Sequence, residues 1–476
     1  MSLTNKLDVL AGERAARRRA EVERLLAENP GRLLRTGNIA AASVPRRATA
    51  EAPRGEGLAP ARPIHELIVN CQRMDGESPG VLRTVSAVSA APHPEGPPHP
   101  RGYSFAPAPS RPLPSPDNWS RMLAALAADE AMGGTPIESL AFIDAETTGL
   151  YGAPGIVAFL IGVGYFRRGN ESGGGGLEFV CEQYFMEDYC AEPRMLETLE
   201  QRLRGFAAFV TYNGKNFDLP LLRARFVMNR MRANLERPHL DLLWPSRRAY
   251  RARIGSCSLA NIENVVLGLR RQHDIPGSLI PQIYFDYVHT RRAAGLVPVF
   301  DHNAQDVITM GALLLHMTEC ALDPAHHRLA DARDMAGYGR LLRSRGMLDM
   351  AAAHYERAAS AARDAAAANS SLCELAAVYR KLGRHADAAD IWRAECRRDR
   401  RGGLDNPMAC IELAKLLEHQ LRDYEAALKH IANIEKLASF SAPPPLTNER
   451  AALLDDLAAR KRRILRKIER AARKNP

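Results

Sequence analysis

The spacing of apolar and polar positions changes character three times along the 476 residues. Near the start, Leu7, Leu10, Ala11, Val22, Leu25 and Leu26 recur at helical spacing inside a basic segment, which predicts a helix over 7–28. From residue 36 this periodicity dissolves. Ten of the 25 residues from Pro92 to Pro116 are proline, the composition of a semi-rigid or disordered linker. Residues 1–115 are therefore expected to be basic, proline-rich and largely disordered, contributing little core.

Order is expected from Trp119 onward. Ser139–Asp144, Val157–Phe166 and Leu177–Phe185 are apolar runs of strand length joined by short glycine-rich connections, which predicts an antiparallel meander. Strand and helix signals then alternate: helix Glu192–Leu203, strand Phe206–Tyr212, helix Leu219–Met231, strand His239–Leu243. Helical stretches follow at Ser258–Leu269, Ile280–Ala294 and His302–Thr318. A meander followed by such alternation implies an α/β class, a mixed sheet flanked by helices. Past residue 325 strand signals stop. Gly346, Ala351 and Tyr355 recur as Gly383, Ala388 and Trp392, 37 residues on, with a weaker third copy at Arg422, Ala427 and Ile431. A turn glycine, a small residue where helices touch and an aromatic in the groove predict tetratricopeptide-like helical hairpins over 325–440. A basic amphipathic helix is expected within 445–476, with Leu453, Leu454, Leu457, Ile464 and Ile468 on one side. It reads as a cap on the hairpins, with a nucleic-acid-binding helix as the alternative.

Charge sharpens the picture at the ends. The net charge is +10, yet residues 1–50 hold ten Lys/Arg against five Asp/Glu, and residues 460–474 hold nine against one. The two ends carry more than the whole excess, leaving the middle slightly acidic. They could tether a polyanion or simply be solvated. The longest apolar stretch, Gly155 to Phe166, is too short to cross a bilayer, so no membrane partner is expected. With no apolar run behind the basic N-terminus a secretory signal is not expected. The eight cysteines form no C-x-x-C pair, which favours reduced thiols and a cytoplasmic location.

Three segments carry chemistry. Asp144-Ala-Glu146-Thr147-Thr148-Gly149 ends the first strand, and acids at i and i+2 of a strand share a face. Buried together they would repel and protonate unless a divalent cation sat between them, and hard oxygen ligands suit Mg²⁺ or Mn²⁺. The bland reading is two acids capping a turn. Asn213-Gly214-Lys215-Asn216-Phe217-Asp218 runs from a strand into a helix, where Asp218 could be a ligand or only an N-cap. In Asp301-His302-Asn303-Ala304-Gln305-Asp306 the histidine and the last aspartate are i and i+4 on one helix face. Four acids on three elements meet the needs of two-metal phosphodiester hydrolysis.

The set resembles the DEDD exonucleases of the DnaQ-like, ribonuclease-H-like superfamily. Within it, residues 139–318 are similar to the bacterial YprB-like group, through FIDAETTGL (142–150), VAFLIGVGYF (157–166), YNGKNFDLPLLRAR (212–225), HLDLL (239–243), CSLANIENVVLG (257–268), DIPGSLIPQIYFDYV (274–288) and DHNAQDVITM (301–310). The resemblance implies a ribonuclease-H-like domain over 116–322 and a 3′→5′ exonuclease acting on DNA or RNA with two ions, Mg²⁺ or Mn²⁺. It implies that Asp144, Glu146 and Asp306 hold the ion beside the attacking water and that Asp144 and Asp218 reach the second. His302 would be the general base, and Thr147, Thr148 and Asn213 would lie near the terminal nucleotide. One spacing departs from the pattern: three residues separate His302 from Asp306, as in the tyrosine subgroup, where the histidine subgroup has four. Asp241 reads as a second-shell acid or a cap, and Arg247, Arg248, Arg251 and Arg253 as a phosphate-facing cluster or a solvated helix face. Two other functions stay open: a non-catalytic nucleic-acid-binding or scaffold protein acting through its repeats, and a structure-specific endonuclease on the same fold. The repeats would dock a protein partner or the substrate.

Overall fold

Seven strands form one mixed sheet in the computed structural model, which describes residues 71–73, 81–89, 114–149, 155–168, 177–271, 274–398, 407–440 and 448–472. The strands are β1 (Cys71–Arg73), β2 (Val81–Ser89), β3 (Leu140–Thr147), β4 (Ala158–Arg168), β5 (Leu177–Met186), β6 (Ala208–Thr211) and β7 (His239–Asp241). Their spatial order is β1-β2-β5-β4-β3-β6-β7. The pairs from β1 to β3 are antiparallel, whereas β3–β6 and β6–β7 are parallel. The chain is thus α/β with a mixed sheet flanked by helices, followed by an all-α region of helical hairpins.

One expectation needs correction. The region 1–115 supplies two strands, and β2 pairs with β5 along all nine of its residues, from Val81↔Met186 to Ser89↔Glu178. Val81 and Leu82 are fully buried in the core. Proline-rich flanks masked a β-branched run, Val81 to Ser89, that is long enough to close one side of the meander. The helix expected over 7–28 lies outside the described residues, as does most of the proline-rich stretch.

The helices are α1 (Pro116–Ala127), α2 (Glu192–Leu203), α3 (Asp218–Met228), α4 (Leu243–Ile254), α5 (Ile280–Thr290) and α6 (Val297–Leu322). A helical turn at Leu259–Ile262 continues as a π-turn, Glu263–Leu267. The described residues gather into two compact units. One comprises those up to Pro245 with Ser256–Glu319; the other comprises Ser246–Gly255 with those from Cys320 on. In the first unit, Phe142, Phe166 and Phe179 meet edge to face on the sheet, and Phe159 stacks on Tyr284 of α5 with centroids 4.0 Å apart. On β4, Gly162 and Gly164 let α6 come close. A Cβ at Gly162 would stand 2.6 Å from Asn303 Oδ1, and one at Gly164 would stand 2.5 Å from Val307 Cγ1. Helix α6 begins five residues before His302, so His302 and Asp306 sit well inside it rather than at its opening.

The second unit is built from α7 (Ala332–Ser344), α8 (Leu348–Ala361), α9 (Ala365–Lys381), α10 (His385–Arg398), α11 (Pro407–Leu416), α12 (Tyr424–Phe440) and α13 (Asn448–Ala472), each packed on the next. A π-turn, Leu417–Leu421, follows α11. The recurring residues take equivalent places. Gly346, Gly383 and Arg422 each turn the chain with φ between 55° and 77°. That left-handed conformation suits glycine and strains arginine. Ala351, Ala388 and Ala427 are fully buried, as are Tyr355 and Ile431, with Trp392 nearly so. The thiol reading also needs amendment: Cys396 on α10 and Cys410 on α11 are paired as a disulfide, Cα–Cα 5.7 Å. Their separation of 14 residues gave no hint, because the pairing depends on how two consecutive helices pack.

Candidate active site

Parallel pairing of β3 with β6 sets their carboxyl ends side by side, and the candidate residues collect there. Asp144 and Glu146 leave β3 on one face. Asp218 is the first residue of α3, and no side chain caps that helix. Its carboxylate instead accepts from its own amide and from the amide of Ala145, which lies between the two strand acids. The turn that delivers it is fixed by Asp241, which accepts from the amides of Asn213 (2.7 Å), Lys215 (3.1 Å) and Leu243 (3.1 Å). Asn213 is left-handed, with φ 69°, and a Cβ at Gly214 would lie 2.6 Å from Thr211. Asp241 therefore acts here as a buried backbone clamp.

Helix α6 brings the rest. Asn303 Nδ2 donates to Asp144 Oδ2 at 2.9 Å, and its Oδ1 accepts from Gln183 Nε2 at 3.0 Å. Gln183 Oε1 in turn accepts from Thr84 at 3.0 Å, so a buried polar relay runs from β2 to the strand acid. His302 Nδ1 lies 2.7 Å from Asp274 Oδ1, and its Nε2 lies 3.6 Å from Asp306 Oδ2. A carboxylate can only accept, so Nδ1 carries the proton and Nε2 is the atom left toward Asp306. Arg271 Nη1 is also 3.3 Å from Nδ1, but two donors cannot bond, and the shorter Asp274 contact decides.

Arg271 crosses this cluster. Its Nε donates to Glu263 at 2.5 Å, its Nη1 reaches Asp274 at 3.3 Å, and its Nη2 donates to Asp306. Glu263, 1% exposed, also accepts from Thr309. The two threonines after β3 are engaged locally: Thr147 donates to the carbonyl of Gly149 at 2.7 Å, and the Thr148 hydroxyl accepts from the Val157 amide at 3.1 Å. Of the basic cluster on α4, Arg253 pairs with Asp334 at 2.6 Å.

The electrostatics follow from crowding acids away from water. Burial, then repulsion from Asp306, Glu146 and Asp218, pushes Asp144 well above the ordinary carboxylate range. Burial lifts Glu146 to about 7, against the pull of His302. Burial likewise lifts Asp218 to about 7, although its two backbone hydrogen bonds oppose this. For His302, burial favours the neutral ring, but the hydrogen bond to Asp274 and the charges of Asp306 and Glu146 outweigh it and raise the ring to about 9. In this arrangement the imidazole is charged at neutral pH, whereas a base must be neutral. A cation among the carboxylates would cancel the field that holds the proton.

Among the described residues no three of these side chains stand together as a set that could hold a metal ion. Asp306 is taken by Arg271 and Asp144 by Asn303. The donor chemistry nevertheless fits a hard divalent ion, since carboxylates packed until three of them tend to protonate are what such an ion would relieve.

Acids from a sheet's first antiparallel-to-parallel junction, joined by a helix laid across it, invite comparison with known proteins. Residues 141–318 match the RNase_H superfamily. The matched segment contains all four acids, His302, Arg271 and Glu263. The chain is also similar to the uncharacterized protein YprB of Bacillus subtilis (strain 168), 29% identical over 295 residues, which cover 61% of this chain and 68% of that protein. The RNase_H-like match supports a nuclease-type activity on nucleic acid. No helix among the described residues is long and apolar enough to cross a membrane.

Four participants escaped the sequence: Arg271, Glu263, Asp274 and Asn303. All stand in the motif-bearing segments or beside them, and Glu263 among apolar neighbours in Asn261-Ile262-Glu263-Asn264-Val265-Val266 was the one visible signal, an acid in a buried helical stretch that requires a partner.

Proposed function

We propose that the chain is a divalent-metal-dependent 3′→5′ exonuclease that hydrolyses phosphodiester bonds of DNA or RNA by a two-metal-ion mechanism. The observation that supports this most is the gathering of Asp144, Glu146, Asp218 and Asp306 from β3, α3 and α6 into one shared electrostatic field. Asp144, Glu146 and Asp306 would hold one ion, and Asp144 with Asp218 the other, Mg²⁺ or Mn²⁺. Such ions activate the attacking water and offset charge on the phosphate and leaving oxygen.

The chain's own groups do the rest. Asn303 fixes the rotamer of Asp144 through the Gln183 relay. Asp274 holds the His302 proton on Nδ1, leaving Nε2 to take a proton from water once the local negative field is offset. Thr147, Thr148 and Asn213 sit at the ends of β3 and β6, where a terminal nucleotide would enter. We place the catalytic domain at 116–322, extended by β1 and β2. We read 325–440 as tetratricopeptide-like hairpins that dock a protein partner or the substrate, and 445–476 as their basic terminal helix.

End-labelled DNA and RNA test the polarity. A 5′ label is expected to give a ladder that shortens stepwise from the opposite end, while a 3′ label is released first as a mononucleotide. Internal fragments without a ladder would point to an endonuclease. Binding without any cleavage, with Mg²⁺ or Mn²⁺ supplied, would point to a non-catalytic nucleic-acid-binding module.

A further inference from the structure

A second concentration of charge lies in the helical unit. A cavity of about 540 Å³ is lined by Arg380 of α9, Lys415 of α11, His419 of the π-turn, and Arg460 and Arg463 of α13; no carboxylate lines it. The acids stand behind these cations. Glu412 is shared by Arg380 (2.9 Å) and Lys415 (2.7 Å). Glu418, with no exposed side-chain surface, takes Arg460 (3.2 Å), Arg463 (2.6 Å) and Lys467 (2.9 Å). Asp456 takes only Arg460, at 3.2 Å. Five cations therefore share three carboxylates, and the surplus faces the cavity. Arg460 is 8% exposed, and its Nε has no hydrogen-bond partner among the described residues. A buried guanidinium short of an acceptor is costly unless an anion supplies one.

The surplus continues outside. Arg462, Arg466 and Arg470 recur every four residues on α13, are exposed, and have no carboxylate partner among the described residues. Eight residues of helix span about 12 Å. A single phosphate would need the cavity alone; a row of cations leading from it suits a ligand whose charge repeats. Leu416 is the one apolar side chain in the lining, which disfavours an apolar peptide.

We propose that this cavity and the outer face of α13 form a binding site for the phosphodiester backbone of a nucleic acid strand, separate from the candidate catalytic residues. The site does not depend on the chain being a nuclease, and its test reads binding rather than cleavage. Full-length Asp144→Asn protein in EDTA is titrated with a fluorescein-labelled 20-nucleotide single strand across a salt series, followed by anisotropy. Two variants are compared: Arg380→Gln/Lys415→Gln in the cavity, and Arg462→Ser/Arg466→Ser/Arg470→Ser on the helix surface, where loss of fold is not a concern. Each is expected to weaken binding about five- to tenfold. Each should also lower the slope of log Kd against log salt by about 1 to 2, at roughly 0.7 for each phosphate no longer neutralised. Unchanged affinity and slope in both variants, with the helical circular dichroism intact, would overturn the proposal. A nucleoside monophosphate that binds the unsubstituted cavity while both variants leave the oligonucleotide unaffected would overturn it in favour of a small free phosphate ligand. Displacement of the oligonucleotide by poly-glutamate at equal charge would overturn it in favour of an acidic protein partner.

Discussion

Arg271 is the residue on which the chemistry of the site turns. Its guanidinium is anchored at Nε by buried Glu263 and presents its other nitrogens to Asp274 and Asp306, so it is the internal cation of a carboxylate cluster. Removing one partner of such a pair strands the other away from water. Arg271→Leu is expected to destabilise the sheet-containing unit by about 3 kcal/mol, because Glu263 keeps only the Thr309 hydroxyl. Glu263→Gln in the same chain should recover about 1 kcal/mol or more of that loss. Urea denaturation of the two single variants and the double checks this, and strictly additive losses would show that the two side chains are not coupled. The four acids were legible in the sequence because each stands in a recognisable local setting: a strand end, a strand-to-helix turn, a helix face. Arg271 was not, because its partners lie eight and 35 residues away, and its role depends on where the segment around 259–271 folds back. The same reasoning covers His302, whose i, i+4 relation to Asp306 could be read directly. Its elevated proton affinity could not, since Asp274 lies 28 residues distant.

Strands and helices were readable wherever a period was clean. Glu192–Leu203 has the expected bounds, and β3, β4 and β5 form the expected meander. The strand Val81–Ser89 was missed because its neighbours are rich in proline, and the early start of α6 because Val297-Pro298-Val299-Phe300 reads as a strand-like run. Proline is tolerated there since it occupies the first turn. What joins these elements into a site is the glycine at β4 that faces Asn303. Gly162 pairs with Asp144 across the sheet, and its missing side chain admits the amide that holds Asp144 in place. Gly162→Ala is expected to cost about 1–3 kcal/mol through overpacking. It should lower any cleavage more than it lowers stability, because α6 must retreat and Asn303 with it. Adding Asn303→Ser should restore part of the stability and none of the cleavage. Full cleavage in Gly162→Ala, measured under conditions where it is folded, would show that the close approach of α6 does not serve the site.

At the scale of the whole chain, two units carry different chemistry, one built on a sheet with an acidic centre and one on hairpins with a basic cavity. They should also differ in their response to acid. His354 of α8 is fully buried against Tyr338, and neither ring nitrogen has a hydrogen-bond partner among the described residues. Burial lowers its proton affinity to about 4, from 6.5. The folded state therefore holds it neutral, and this contribution is complete above pH 6.5. It is lost progressively as pH falls toward 4, by up to about 3 kcal/mol. His354→Leu should flatten that part of the profile, read from denaturant midpoints of helical circular dichroism between pH 7 and 4. An unchanged slope would place the ring in contact with water. The central claim concerns the other unit, and one measurement addresses it most directly: cleavage of an oligonucleotide with Mg²⁺ or Mn²⁺ by the unsubstituted chain and by Asp144→Asn, Glu146→Gln, Asp218→Asn and Asp306→Asn, each first shown to be folded. The expected result is cleavage that EDTA abolishes and that each of the four replacements removes. Cleavage that persists in EDTA, or in folded Asp144→Asn and Asp306→Asn proteins, would contradict a metal site built on these carboxylates.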